Sequence, residues 1–404
     1  MPTTRITGHQ PQVTTTRTTA TLSFPSSHFA IEHVTLEEVF CAYYDCRLSK
    51  RSKNSAVRYE LDYEVENYRL WQELNTGQYE IGISNTFCVT KPRLREIFAA
   101  SFRDRIVHHL IANRILPTIE RRLFPDAYAC RKGRGALYGA KRISAYMRNN
   151  PEGWVAKCDV RGFFMSIDKD VLWQMVEDVV REAIREDVEW WLALVHKIIF
   201  HRPEERCSRR GNILLWEQLP SNKSLFHSEG RGLPIGNLTS QIFANLYMSG
   251  FDAWMKRQVG DGRYGRYVDD FVIIADTREQ IVEIIIKAKE WLHSNLHLEL
   301  HPRKIYIQPV RRGLSFVGYI IKGDRLYCES RTIHNAMRVV ESWNKSSEHT
   351  SQQRERFISR INSYHGLLRH GATYKVRRRL WDKIQDKTNL ANINHKKIKL
   401  CKTS

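Results

Sequence analysis

Tyr267-Val268-Asp269-Asp270 carries the densest chemistry in this chain. Arg263-Tyr264-Gly265-Arg266 precedes it, and Phe271-Val272-Ile273-Ile274-Ala275 follows. Two short runs rich in aromatic and β-branched residues, joined by an acid pair, predict a β-hairpin with both acids at or beside the turn. Two unpaired carboxylates at the tip of a buried hairpin are costly, and a divalent cation is the usual means of offsetting that cost. An acidic surface turn is the plainer alternative, since Asp is a favoured turn residue.

A matching acid comes earlier. Gly153-Trp154-Val155-Ala156-Lys157-Cys158-Asp159 is an apolar run ending in a carboxylate, followed by Arg161-Gly162-Phe163-Phe164. The pattern suits a central strand delivering Asp159 at its C-terminal end, then a helix from near Lys169 to Val180. More than one hundred residues separate Asp159 from the hairpin acids, so only a fold can join them. A joined cluster could hold two Mg²⁺ roughly 3.5–4 Å apart, the arrangement used for in-line displacement at phosphorus. Magnesium takes carboxylate oxygens and substrate phosphates rather than an all-protein cage, so a few Asp residues suffice.

These residues resemble the reverse transcriptases. Asp159 with Phe163-Phe164 resembles the first palm motif of that family, and Tyr267-Val268-Asp269-Asp270 its catalytic hairpin. Gly232-Leu233-Pro234-Ile235-Gly236-Asn237-Leu238-Thr239-Ser240-Gln241 is similar to the loop that supports template and incoming nucleotide. His301-Pro302-Arg303-Lys304 is similar to the motif with a lysine near the triphosphate, and Phe316-Val317-Gly318-Tyr319 to the primer grip. Arg95 resembles the finger arginine on the triphosphate. Tyr128-Ala129-Cys130-Arg131-Lys132-Gly133-Arg134-Gly135 resembles the second finger motif, with Arg131 toward template or nucleotide. Group II intron and retron enzymes usually carry Gln-Gly in the palm loop and end it in Ser-Pro. Ile235-Gly236 and Ser240-Gln241 instead resemble enzymes of diversity-generating retroelements and of bacterial unknown-group systems, antiphage defence among them.

The resemblance implies an α+β right-hand polymerase with fingers, an antiparallel palm sheet bearing the catalytic hairpin, and an α-helical thumb. It implies Asp159, Asp269 and Asp270 as metal ligands, with Lys304 beside them. Arg95, Arg131, Phe164, Ile235, Gly236 and Gln241 would line the nucleotide and template site. Phe164 would crowd a ribose 2′-OH and so select deoxynucleotides. Two Mg²⁺ (or Mn²⁺) and dNTPs would serve as cofactor and substrates. The partners would be a dedicated non-coding RNA template and the RNA/DNA duplex product, with room for an accessory protein or an oligomeric partner. The cellular role would be defence, or mutagenic cDNA synthesis in a diversity-generating element. A catalytically silent RNA-binding scaffold is the alternative of another class, and retention of all three acids argues against it.

Composition agrees. A net charge of +20 suits a polyanion and makes binding salt-dependent. Eight scattered cysteines without a C-x-x-C pair read as free thiols in a reducing cytoplasm. His293, His297 and His301 have helical spacing, but Leu298-Glu299-Leu300-His301-Pro302 looks like a strand that would break the face. No apolar run approaches the roughly 20 residues needed to span a bilayer, and no signal peptide is evident.

Along the chain, residues 1–30 read as an extended Thr/Ser-rich arm. N-terminal helices and fingers are expected over 31–150, with a helix from Thr35, a basic connection at Lys50-Arg51-Ser52-Lys53, and a second helix over 60–74. A further helix should open at Ser101 and run to about Ile115. The palm is expected over 151–322, interrupted by an insertion at 201–230, and a helical thumb with a basic tail at Lys396-Lys397-Ile398-Lys399 over 323–404.

Overall fold

The structure is a computed structural model that describes residues 32–48, 53–91, 93–346, 348–388 and 390–400. The expected N-terminal arm and the connection at Lys50-Arg51-Ser52 lie outside the described residues.

Thr35 caps α1 (Leu36–Arg47) in a capping box with Glu38, and Val39, Ala42, Tyr43 and Cys46 form its buried stripe. The single helix expected over 60–74 is two, α2 (Asn54–Leu61) and α3 (Tyr63–Asn75), broken at Asp62. β1 (Ser84–Val89) and β2 (Arg95–Ala99) pair antiparallel. Ser101 caps α4 (Phe102–Arg122), which outruns the expected end and takes Pro117 inside it. The buried run through Ile115, Thr118 and Ile119 carries it past the proline.

After α5 (Ala136–Asn149) come β3 (Trp154–Asp159), the short α6 (Phe163–Ser166) and α7 (Lys169–Ala183). Then follow α8 (Val188–Phe200), β4 (Cys207–Arg209), α9 (Leu214–Glu217), α10 (Leu238–Tyr247) and α11 (Ser249–Val259). The hairpin is β5 (Tyr264–Tyr267) and β6 (Asp270–Ala275), succeeded by α12 (Arg278–Leu296) and β7 (Tyr306–Pro309). These strands build a four-stranded antiparallel sheet in the order β5-β6-β3-β7. Its residues alternate between two cores, as the two-residue strand period requires. Ala156, Cys158, Phe271 and Ile273 face the large core built with α4, α7, α10, α11 and α12. Val155, Val272 and Ile274 face a smaller one built with α5.

β8 (Leu314–Phe316), β9 (Tyr319–Lys322) and β10 (Arg325–Cys328) form a separate antiparallel sheet. α13 (Ser330–Asn344), α14 (Ser351–Leu368) and α15 (Tyr374–Asp382) then share a core around Trp343, Phe357, Ile361 and Leu380. The basic stretch expected as a tail is folded instead. β11 (Leu390–Ile393) and β12 (Lys397–Leu400) pair antiparallel, and Asn362 on α14 bonds the backbone of Ile398 in both directions, at 2.7 and 2.8 Å. Burial of Ile398 is the reason: the basic run carries one apolar side chain that a core residue position claims.

Candidate active site

β3 and β6 run side by side in such a register that Asp159 and Asp270 are direct cross-strand partners. Asp269 sits in the two-residue turn between Tyr267 and Asp270. Its carbonyl accepts from the Val160 N–H at 3.1 Å, which fastens the hairpin tip to the end of β3. The Asp159 carbonyl in turn accepts from the His301 N–H at 2.8 Å, bringing in the segment that carries Lys304. Three carboxylates from distant parts of the chain thus meet at one end of the sheet.

Their electrostatics show an acid cluster short of positive charge. Burial, then the charges of Asp270 and Asp159, push the Asp269 carboxyl up to about 6. Asp270 is also raised, chiefly by burial, with Lys157 opposing. Two ammonium groups stand in: Lys304 Nζ lies 2.6 Å from Asp159 Oδ1, and Lys157 Nζ 3.6 Å from Asp270 Oδ1. Among the described residues, no three His, Cys, Asp or Glu side chains form a ready metal cage. An all-oxygen set of three Asp residues suits Mg²⁺, which relies on substrate phosphates and water for its remaining ligands.

Val268, the other residue of the turn, has φ +60°. Only the first central residue is left-handed, the pattern of a type II′ turn, in which glycine is usual. A β-branched residue there is strained, by an amount on the order of 1–3 kcal/mol. The surroundings hold it in place. Arg266 and Asp252 are both fully buried, with Arg266 Nε and Nη2 each 2.7 Å from an Asp252 oxygen. Tyr264 donates to Asp252 at 2.6 Å, and Arg266 Nη1 donates to the Val268 carbonyl at 2.9 Å. Sequence reading missed this network. A lone Asp between Phe251 and Met255 on a buried helix face was the available signal.

The other expected residues are placed as follows. Phe163 is buried, whereas Phe164 keeps part of its ring exposed and meets Phe163 edge-on at 5.5 Å. Ile235 is half-buried against the cluster of Phe98, Met165 and Leu225, and its carbonyl accepts from the Phe98 N–H at 2.8 Å. Gly236 has φ +130°, and a Cβ there would lie 2.6 Å from the Phe98 carbonyl oxygen, so the close approach of the loop to β2 requires glycine. Gln241 is exposed on the first turn of α10. Arg95 is exposed on β2, and its charge acts on the phenol of Tyr267.

Arg131 is the departure. Its side chain is only 6% exposed and pairs with Glu120 at 2.8 Å, with Nη1 donating to the carbonyls of Phe124 and Ala127. Its Nε and Nη1 donors are thus turned inward and brace its own loop. Of the three histidines at helical spacing, His293 lies on α12, which ends at Leu296 before His301, and His297 pairs with Asp168 at 2.9 Å.

Residues 89–321, more than half of the chain, match the family described as reverse transcriptase (RNA-dependent DNA polymerase). The chain belongs to the reverse transcriptase family. It is 22% identical over 310 residues to Protein YkfC of Escherichia coli (strain K12), covering 67% of this chain and 74% of that protein. It is also 22% identical over 260 residues to the Putative COX1/OXI3 intron 1 protein of Saccharomyces cerevisiae, covering 62% of this chain and 27% of that one. Two telomerase structures are similar. Apo telomerase from Candida tropicalis, truncated from the C-terminal domain, has TM-score 0.43 and 12% identity, over 62% of this chain and 56% of that one. Telomerase from Candida albicans, in complex with a fragment of telomeric RNA, has TM-score 0.41 and 13% identity, over 80% and 60%. The chain therefore spans about a quarter of the yeast protein and just over half of each telomerase chain. Both TM-scores fall below 0.5, which leaves these two as likenesses only.

Proposed function

We propose that this chain extends a primer with dNTPs on an RNA template, and that Asp159, Asp269 and Asp270 hold the metal ions for that transfer. The observation that carries the reading is the cross-strand pairing of Asp159 with Asp270, with Asp269 at the adjoining turn. Magnesium, when bound, would lower the pKa of the attacking 3′-hydroxyl and offset the charge of the leaving pyrophosphate. Lys304 and Lys157 each pair with one of the acids, and with metal bound at Asp159 the Lys304 ammonium would be free to serve the triphosphate. Arg95, exposed and within electrostatic reach of Tyr267, offers a fork of donors to the same phosphates. Phe164 would stand against the sugar, and Ile235, Gly236 and Gln241 against the nascent pair.

Asp159→Asn and Asp269→Asn should each abolish dNTP incorporation on a primed RNA while leaving RNA affinity nearly unchanged. Full polymerase activity in either variant would overturn the assignment.

The finer reading is a bacterial enzyme of antiphage defence that copies a dedicated non-coding RNA, supported by the resemblance at Ile235-Gly236 and Ser240-Gln241. Sequencing the RNA and cDNA that co-purify with the chain, and phage plating with and without Asp159→Asn, tests it. A heterogeneous RNA pool and unchanged plating would count against it.

A further inference from the structure

The segment between α8 and α10, expected as an insertion, is built into the fold. β4 adds a parallel strand to β1, with Ser84 opposite Cys207 and Thr86 opposite Arg209. Glu96, fully buried on β2, accepts hydrogen bonds from Trp216 Nε1 at 2.6 Å, Ser224 Oγ at 3.1 Å and the Leu225 N–H at 2.7 Å. A buried carboxylate so satisfied is costly to disturb, which makes the segment a fixed surface rather than a mobile loop.

That surface is basic up to Trp216: the next acid, Glu217, lies exposed at the end of α9, and the charge of Arg209 also acts on the buried Glu96. Arg206, Arg209 and Arg210 are exposed, and no acid occurs from residue 206 to 216. The preceding Glu204 and Glu205 both close on Arg202, at 3.1 and 2.7 Å, and so do not neutralise it. The Arg209 guanidinium lies 4.1 Å over the Phe226 ring and 5.8 Å from that of Trp216. Beside this stack, Ile213 and Leu214 are each 59% exposed. Phe226 packs on Phe98 at 5.6 Å, and the Phe98 N–H is the one that donates to Ile235. The basic face and the palm loop therefore share a wall.

We infer that this face binds single-stranded RNA: the unpaired template strand on its way to the carboxylate site. Arg206, Arg209 and Arg210 take phosphates, while bases lie on Ile213, Leu214 and the planar Arg209 stack. Exposed apolar side chains beside cations favour a single strand, because splayed bases cover them and a duplex backbone does not. The chemistry of the ligand follows from the face itself. Only its identity as template rests on the polymerase reading.

The test compares two template–primer duplexes, one with a single unpaired template nucleotide and one with about fifteen. The full chain is used, with binding measured across a salt series. Arg206→Glu with Arg210→Glu should weaken only the long overhang and reduce its salt slope by about 1.4, from roughly 0.7 per lost single-strand phosphate contact. Ile213→Ser with Leu214→Ser should weaken the long overhang without changing the slope. Thermal melts confirm folding, which these exposed positions should not disturb. Equal effects on both duplexes, or none on either, would overturn the inference; the second outcome is also the one expected of a protein-docking face. Were the wild type to incorporate no nucleotide, the polymerase reading would fail while the binding comparison still decided this one.

Discussion

Arg266 donates to the carbonyl oxygen of Val268 at 2.9 Å, so a fully buried cation grips the strained turn that presents Asp269. The same guanidinium is held by both oxygens of Asp252, and Asn245 lies within 3.4 Å of Nη1. Asn245 also donates to the Ala129 carbonyl, and the Tyr128 N–H donates to the Arg266 carbonyl. The turn geometry is thereby tied to α10, α11 and the 126–130 segment at once. A residue in a sparsely populated conformation persists only where its surroundings over-determine it in this way.

Arg266→Lys should separate that positioning role from simple stability. Lysine keeps a positive charge for Asp252 but lacks the fork that reaches Val268 as well. The expected result is a folded protein whose kcat falls while the KM for dNTP stays near the wild-type value. Arg266→Met, which leaves Asp252 buried and unpaired, should instead cost about 3–5 kcal/mol of stability. Activity in Arg266→Lys that falls only as the folded fraction falls would reduce the residue to a structural brace.

The hairpin and β3 were legible because their apolar runs are short, bounded and rich in β-branched residues, and because an acid closes each one. Placement of Arg131 was not. Its partner Glu120 sits on the last turns of α4, beyond the end expected near Ile115, so a basic loop residue looked free when a carboxylate stood within reach. The β11–β12 hairpin was equally hidden. Asn394 and His395 both adopt left-handed backbone in its loop, with no glycine to announce the turn. The Asp252–Arg266 pair joins a helix to a strand through burial alone, which no local pattern encodes.

Phe164→Ala should open the site to ribonucleotides. Because Phe164 keeps part of its ring exposed while Phe163 fills the core, the loss of stability should fall below the roughly 3–5 kcal/mol of a fully enclosed Phe. Selectivity for dNTP over rNTP should drop at least about tenfold, a difference of about 1.4 kcal/mol between the two transition states. Single-nucleotide incorporation with matched dNTP and rNTP measures it. Unchanged selectivity in a folded variant would make Phe164 a packing residue.

His108 should govern part of the acid sensitivity of the fold. It lies buried on α4, with Nδ1 2.8 Å from Thr239 Oγ1 on α10, and so braces the helix that follows the 232–237 loop. Burial, then the nearby charges of His109, Arg105 and His201, push its pKa down to about 3. The native state therefore keeps it neutral while the unfolded chain protonates near 6.5. Its contribution is whole above about pH 6.5 and is lost as pH falls toward about 3, at up to about 1.4 kcal/mol for each pH unit. Melting temperature should decline from pH 7 to 5, and His108→Gln, which preserves a hydrogen bond to Thr239 without a titrating group, should decline less. His201, His365 and His370 are also held down by burial and act in the same direction. Parallel curves for the two proteins would remove His108 from the account.

Ile235 bears on fidelity. Its side chain is half-buried against Phe98, Met165 and Leu225, and its carbonyl is fixed by the Phe98 N–H, so the residue is held in one place at the edge of the proposed nucleotide site. An apolar group there can exclude water but cannot hydrogen-bond to the minor-groove edge of a base pair. Discrimination at that contact then rests on shape, and a hydrophobic contact typically distinguishes by only about 1–3 kcal/mol. Ile235→Gln restores a polar group where related enzymes carry one. Misincorporation should fall several-fold, with slower extension and a modest loss of stability from the altered packing. Deep sequencing of cDNA made by both proteins on one template measures the effect. Identical error spectra from two well-folded proteins would show that Ile235 only packs the loop against β2, and that any looseness in base selection arises elsewhere in the site.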